Sequence, residues 1–208
     1  MAKARGSLLA TGLALAVCFS AGPVIAQKNA MDFLKKRHEE VIQILSRTAR
    51  TEAKITERNH QLNRALEDLL DFDELSRRSL RDHWEGLSQA QRDEFTTLLR
   101  SLVERSYQKN LESTLDYEIR YEREEADSNG VVVHTVAHSK KKRRAPEVEI
   151  DYKLRKTEAD WKVFDVTTDG VSLIDNYRNQ FNRIIRRHGW NELIARMQKR
   201  LTTGSDTL

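Results

Sequence analysis

The 208-residue sequence contains little cysteine, proline or glycine: one Cys, two Pro and eight Gly. Its single cysteine, Cys18, excludes an internal disulfide and a zinc site built from several cysteines. No linker rich in Gly, Ser or Pro divides the chain, and no internal repeat is present, so we expect one compact core. A mean hydropathy of -0.68 excludes a protein with several membrane spans.

A large excess of charge of one sign is also missing. The 36 Lys and Arg residues against 32 Asp and Glu residues give a net charge of +4. Two of the positive charges, Lys3 and Arg5, lie in a segment that we expect to be removed, which leaves +2. This near balance argues against a nucleic-acid partner.

The N-terminus has the three parts of a secretory signal. Lys3 and Arg5 precede an apolar run, Leu8 to Val17, and Gly22 and Pro23 then break any helix. The run has roughly ten residues, whereas a membrane span needs about 20, so a retained anchor fits less well. We therefore predict a cleaved signal peptide over residues 1–26 and a soluble product outside the cytoplasm.

Cleavage of a signal peptide requires small residues one and three positions before the cut. Ala26 and Val24 occupy these positions, which supports cleavage after Ala26. A lipoprotein signal that ends at Cys18 is the alternative, but the Val17 before this cysteine fits that signal poorly. The mature chain, Gln27 to Leu208, has no cysteine. The exported fold must therefore rest on its core, without disulfides or a thiol nucleophile.

Apolar residues that recur at helical spacing predict four helices in the first half of the chain and two at the end. Ser88 opens the fourth helix with a capping box completed by Gln91, Asp73 is the expected N-cap of the third, and Ser172 caps the fifth. Gly189 can end that fifth helix in the left-handed conformation. The predicted ranges are Met31 to Arg50, Lys54 to Leu70, Asp73 to Trp84, Ser88 to about Leu111, Ser172 to His188 and a last helix reaching Leu201.

Between these helical regions the period changes to two, which predicts strands. The strands are expected at Tyr117 to Glu122, Val131 to Val136, Val148 to Leu154 and Trp161 to Val166, with a hairpin turn at Ser128 to Gly130. Their short connections require antiparallel pairing. The predicted fold class is α+β: N-terminal helices and two C-terminal helices packed on a curved four-stranded antiparallel sheet, in one domain over 27–201 with a polar tail at 202–208.

Residues that suggest catalysis or metal binding have simpler explanations. His134 and His138 are four apart, but on a strand they stand about 13 Å from each other and cannot share an ion. Asp73, beside Asp71, is better explained as a helix cap than as half of a catalytic carboxylate pair. Gly170 to Ser172 is only half of a nucleophile elbow. We predict no catalytic residue, no metal site and no enzyme.

A run of five basic residues, Lys140 to Arg144, joins the second and third predicted strands. One interpretation is a solvated turn. The other is attraction to an anionic surface, where each basic residue near an acidic leaflet is worth roughly 1 kcal/mol. Both interpretations stay open at the level of sequence.

Two ordered blocks of residues stand out along the chain. The later block consists of Trp161 to Val166, Gly170 to Ile174, Asn176 to Phe181, Ile184, Ile185 and Gly189, and the upstream block consists of Asp71, Phe72, Asp73, Leu75, His83, Trp84, Leu87, Ser88, Gln91 and Phe95. With these blocks the chain resembles the MlaC family of periplasmic phospholipid-binding proteins, also called the toluene-tolerance family. Asp151 and Tyr152 also fall where the family has a strand. The resemblance covers roughly residues 31 to 201. This sequence departs from the family in its basic run and in the many charges of its first helix.

Such a resemblance implies a carrier that shuttles glycerophospholipid across the periplasm, between an outer-membrane lipoprotein complex and an inner-membrane ABC transporter, and so maintains outer-membrane lipid asymmetry. It also implies acyl chains inserted between helices and sheet. Bound phospholipid would be cargo, with no cofactor, and we expect a monomer.

A slot between helices and sheet needs many large apolar side chains. The candidates for lipid contact are Phe72, Leu75, Trp84, Phe95, Leu98, Leu99, Leu102, Tyr152, Val163, Phe164, Val166, Val171, Leu173, Tyr177 and Phe181. Each is also explained by an ordinary core, because both uses produce the same apolar stripe. Arg178 is the candidate for a head-group or rim role, with a surface salt bridge as the alternative.

Two other functions remain open. An exported adaptor of the cell envelope would have a filled core and no ligand. An exported enzyme acting on a small apolar substrate would need clustered polar groups with perturbed pKa values in its cleft, and the sequence offers no such cluster.

Overall fold

The computed structural model describes residues 29–109, 113, 115–142 and 144–203, so the predicted signal peptide lies outside the described residues. The described residues form six helices and five strands in an α+β arrangement. The helices are α1 (Ala30–Ser46), α2 (Glu52–Leu69), α3 (Phe72–Trp84), α4 (Gln89–Lys109), α5 (Leu173–His188) and α6 (Trp190–Thr203). The strands are β1 (Tyr117–Asp127), β2 (Gly130–Ser139), β3 (Val148–Lys156), β4 (Trp161–Thr168) and β5 (Val171–Ser172).

Serine side chains cap α4 and α5, as the sequence predicts. The capping box before α4 is confirmed: the Gln91 backbone N–H donates to Ser88 Oγ at 3.3 Å, and the Ser88 N–H donates to Gln91 Oε1 at 2.9 Å. Ser172 Oγ accepts from the Asp175 N–H at 3.2 Å, which confirms the cap of α5. Gly189 ends α5 with a positive φ of 84°, as expected, but its ψ of 175° is extended and not the left-handed helical value.

The N-cap of α3 is Asp71, and the prediction of Asp73 is wrong. Asp71 Oδ1 accepts from the Glu74 N–H at 3.0 Å, whereas Asp73 is exposed within the first turn. The reason lies in the sheet, because the Asp71 N–H donates to the carbonyl of Val163 in β4 at 2.8 Å. This bond holds the chain extended up to Asp71, so the helix begins directly after it.

The five strands pair in sequence order and every pair is antiparallel. The antiparallel sheet is therefore confirmed, but the count of four strands is wrong. The additional strand, β5, forms a tight hairpin with β4 in which Asp169 and Gly170 have φ values of 46° and 82°. A two-residue strand is too short to produce an alternating pattern in a sequence.

Apolar side chains gather in three clusters. The largest, which we call the helical core, lies among α3, α4, α5 and α6 and also receives Phe164 from β4. The second packs the start of α1 and the end of α2 on the sheet, and the third lies between α1 and α2. Phe164 reaches the helical core because β4 bulges there: Lys153 pairs with Asp165 and Leu154 with Val163, which leaves Phe164 unpaired.

Candidate functional site

A cavity of about 390 Å³ lies between α1 and the first three strands. This volume falls within the range of roughly 300–1,000 Å³ that is typical of small-molecule sites. Tyr107, in the last turn of α4, and Ser113 also line the cavity. The lining residues are His38, Val41 and Ile42 of α1, Tyr107 and Ser113, Tyr117 and Ile119 of β1, Ala137 of β2, and Val148, Ile150 and Tyr152 of β3.

Strand alternation explains why the sheet wall of this cavity is apolar. Ala137 lies opposite Val148, and the pairing continues with residue 135 opposite Ile150 and residue 133 opposite Tyr152. Residues two apart on a strand share a face, so one face of β3 presents Val148, Ile150 and Tyr152 to the cavity. The intervening residues of β3 are charged and point to the other face.

His38 is the one residue in the described lining whose side chain type ordinarily titrates near neutral pH, and here it is held uncharged. Its Nδ1 lies 2.6 Å from the hydroxyl oxygen of Tyr121, and its ring meets that of Tyr152 edge-on at a centroid distance of 5.1 Å. Burial lowers the pKa of His38 to about 4. An uncharged imidazole therefore lies against the apolar wall at neutral pH.

Three tyrosines at or beside the cavity, Tyr107, Tyr121 and Tyr152, are also uncharged at neutral pH. Burial raises the pKa of the Tyr152 and Tyr107 hydroxyls. The pKa of the Tyr121 hydroxyl is raised by burial and by the negative charge of the nearby Glu39 carboxylate. No Asp, Glu, Lys or Arg is among the lining residues that the structure describes. The cavity interior can therefore accept hydrocarbon, but burial of an ion there would carry a large desolvation cost.

The cavity opens to solvent beside α1 and the segment before β1. Ile42 has 39% of its surface exposed, although it is a large aliphatic residue, and Ser113 is exposed as well. The opposite end is closed, because Phe33 and Leu34 of α1 pack there against Val133 and Leu154 of the sheet. The cavity is therefore a blind slot with one accessible end.

Most candidates for lipid contact lie outside this lining. Leu75, Phe95, Leu99, Leu102, Phe164, Tyr177 and Phe181 are buried in the helical core, with Trp84, Leu98 and Leu173 packed at its margin. The ring of Phe181 meets Phe95 edge-on and stacks on Tyr177, both at a centroid distance of 5.3 Å. These contacts pack the three rings against one another between the helices.

The other candidates are divided among several places. Val163 and Val166 belong to the cluster beneath α1 and α2, Phe72 is buried under the guanidinium of Arg100, and Val171 is 63% exposed. Tyr152 alone of the fifteen candidates lines the cavity. Contact between lipid and the remaining candidates stays a prediction.

Arg178 lies on α5, against α3. Its Nη1 contacts Asp175 Oδ1 at 2.7 Å, and its Nε and Nη2 both donate to the Arg78 carbonyl at 3.2 Å. It does not line the slot beneath α1. Its predicted head-group role therefore stays a prediction, while the surface salt bridge with Asp175 is present.

Ten lining residues were missed at the level of sequence, all except Tyr152. Several of them could have been identified from the large side chains that alternate along one face of two predicted strands. These side chains are Tyr117 and Ile119 on β1 and Val148 and Ile150 on β3. These residues face α1, whose own apolar stripe is interrupted by charged residues and by His38. A broad apolar sheet face against a narrow helix stripe leaves space between them.

The two strand histidines face acidic neighbours. His134 lies 2.7 Å from Asp151 and 3.1 Å from Glu125, and His138 lies 3.2 Å from Glu147. Across the described ranges, no group of three or more His, Cys, Asp or Glu side chains is arranged to hold a metal ion. None of the helices in these ranges is long and apolar enough to cross a membrane.

The fold and the site together define an α+β protein with an uncharged, apolar slot between one helix and an antiparallel sheet. The profile of the MlaC protein family matches residues 35–199, and the chain belongs to this family. No curated protein sequence matches the chain significantly.

A solved structure shares this fold. It is the phospholipid-binding protein from Ralstonia solanacearum, in complex with a phospholipid, and it superposes with a TM-score of 0.69 at 20% sequence identity. The match covers 84% of this chain and 98% of that one. At this level of identity the likeness demonstrates the common fold.

Proposed function

We propose that this protein is a periplasmic carrier that binds the acyl chains of a glycerophospholipid in the slot between α1 and the sheet. The observation that carries the proposal is the uncharged, apolar lining of a one-ended slot in a member of the MlaC family. The bound phospholipid of the Ralstonia protein, which has the same fold, supports this choice of ligand.

A carrier of this kind solves an energetic problem. Each methylene that moves from water into an apolar site gains about 0.8 kcal/mol, so an ordinary acyl chain opposes release into water by on the order of 12 kcal/mol. An apolar slot removes most of this cost while the lipid crosses an aqueous compartment. Binding and release need no nucleophile, metal or cofactor, so we propose a carrier and no enzyme.

The proposed route runs between an outer-membrane lipoprotein complex and an inner-membrane ABC transporter complex, and it would maintain outer-membrane lipid asymmetry. Residues 1–26 would direct the chain to the periplasm, where it would act as a monomer. Support for this route comes from membership of the MlaC family. Fractionation of cells and lipid transfer between the two reconstituted complexes would test it.

Two matched substitutions test the slot. Val148 lines the cavity, whereas Val171 is exposed on β5 and is a candidate from sequence alone. In Val148→Trp, an indole that displaces about two methylenes should weaken lipid binding about tenfold. Val171→Trp should leave it unchanged.

The readout for this pair is phospholipid per protein after uptake from vesicles, with thermal unfolding as the check that both variants fold. Equal lipid content in both variants and in the unmodified protein would contradict the assignment of the slot. In the same assay, unchanged lipid content and transfer in Arg178→Ala would remove the proposed head-group role of Arg178.

A further inference from the structure

The basic run found in the sequence lies at the open end of the slot. It connects β2 to β3, and the last paired residues of these strands, Ala137 and Val148, face each other and both line the cavity. We call its described residues Lys140, Lys141, Lys142 and Arg144 the basic loop. This loop continues directly from two walls of the slot.

Three contacts fix the basic loop to the rim. The Lys140 N–H donates to the Asp116 carbonyl at 2.7 Å, and Lys140 Nζ donates to the Leu115 carbonyl at 3.1 Å. Lys141 Nζ forms an ion pair with Asp116 Oδ1 at 2.8 Å. Leu115 and Asp116 lie between Ser113 and Tyr117, which both line the slot. The loop and the rim therefore form one connected structure.

Two cations of the basic loop are available to bind an anionic ligand. Lys142 and Arg144 are exposed, and within the described part of the chain no carboxylate forms an ion pair with either side chain. Glu147, the acidic residue that follows the loop, instead contacts Arg120 at 3.8 Å and His138 at 3.2 Å. The Lys142 N–H donates to Ser139 Oγ at 3.1 Å, which helps to set the loop backbone.

The slot itself determines where the charged part of a lipid must stay. Its described lining carries no formal charge at neutral pH, so a phosphate cannot enter without losing its hydration. Acyl chains inserted from the open end would leave the phosphate at the rim. A phosphate diester is an anion that lysine and arginine bind through charge-assisted hydrogen bonds.

We propose that Lys142 and Arg144 bind the head-group phosphate at the rim and so favour phospholipids with a net negative charge over zwitterionic ones. This inference rests on the proposed carrier function. A zwitterionic head group brings its own ammonium beside the phosphate, and this ammonium is repelled by the same two cations. An anionic head group is free of this repulsion.

The test uses vesicles that contain equal amounts of phosphatidylglycerol and phosphatidylethanolamine. The purified protein takes up lipid from them, and mass spectrometry gives the ratio of the two lipids per protein. Because both lipids share one vesicle surface, docking of the protein on an anionic membrane affects them equally. The ratio of the bound lipids therefore reports recognition of the head group, and the rate of uptake reports docking.

We expect the unmodified protein to hold roughly fivefold more of the anionic lipid, the factor that corresponds to one basic residue near an anionic group. In the double variant Lys142→Gln and Arg144→Gln, this ratio should fall to that of the vesicles while total lipid stays the same. The matched control is Arg186→Gln with Arg187→Gln, two exposed arginines of α5 outside the slot, which should keep the preference.

A bound-lipid ratio equal to that of the vesicles in the unmodified protein would overturn the inference and leave the carrier function intact. A preference that survives the loop variant while uptake becomes slower would also overturn it, and would make the loop a membrane-docking element. Failure of the unmodified protein to take up either lipid would overturn the carrier function and this inference together.

Discussion

At the scale of single residues, Asp71 joins the helices to the sheet. One carboxylate oxygen caps α3, and the other accepts from Nε of Arg155 on β3 at 2.6 Å. The backbone N–H of Asp71 pairs with Val163 on β4. The side chain is 8% exposed, so these partners replace the water that a buried carboxylate needs.

Replacement of this carboxylate should be costly. Asp71→Ala removes a helix cap and leaves the Arg155 guanidinium without its partner, so we expect a loss of about 2–4 kcal/mol in the free energy of unfolding. Urea denaturation at neutral pH measures it. The control is Asp73→Ala, two residues away and exposed, which should cost less than about 0.5 kcal/mol. Equal losses for the two variants would contradict Asp71 as the cap.

At the scale of secondary-structure elements, the β1 and β2 hairpin is held close to β3. Gly130, which begins β2, has a φ of 150°, and a Cβ atom at this position would clash with the carbonyl oxygen of Leu154. Gly170, between β4 and β5, has a φ of 82° but nothing within 4 Å of such an atom. The two turns therefore need glycine for different reasons.

Alanine at each turn separates these reasons. Gly130→Ala must move the backbone of β3 and should destabilise the protein by more than about 2 kcal/mol. Gly170→Ala introduces only the strain of a positive φ and should lower the free energy of unfolding by about 1–2 kcal/mol. Thermal unfolding with calorimetry compares the two variants. If Gly130→Ala proved the milder change, the close approach of β2 and β3 would be contradicted.

Most elements could be predicted from the sequence because each has a long periodic pattern. The capping box at Ser88 and Gln91 and the turn before Gly130 are local signals, and the structure confirms them. The elements that were missed depend on tertiary contacts. Asp71 caps α3 because β4 holds its backbone, and β5 exists only as the partner of β4. Such contacts leave no period in the sequence.

At the scale of the whole molecule, two apolar layers have different uses. In the helical core buried rings such as those of Phe95 and Phe181 pack edge-on, whereas α1 and the sheet enclose an open slot. Both layers produce the same apolar stripes, so periodicity could not tell which one leaves space. The position of the slot depends on the distance between α1 and β3, which the sequence pattern does not contain.

The central claim is that the slot carries phospholipid, and extraction of the native protein tests it most directly. The protein is exported into a bacterial periplasm, purified with gentle washing, extracted with solvent and analysed by mass spectrometry. We predict phospholipid in near-stoichiometric amount, with its acyl chains in the slot beneath α1. A lipid-free protein that also fails to take up phospholipid from vesicles would contradict the claim and would favour an envelope adaptor without a ligand.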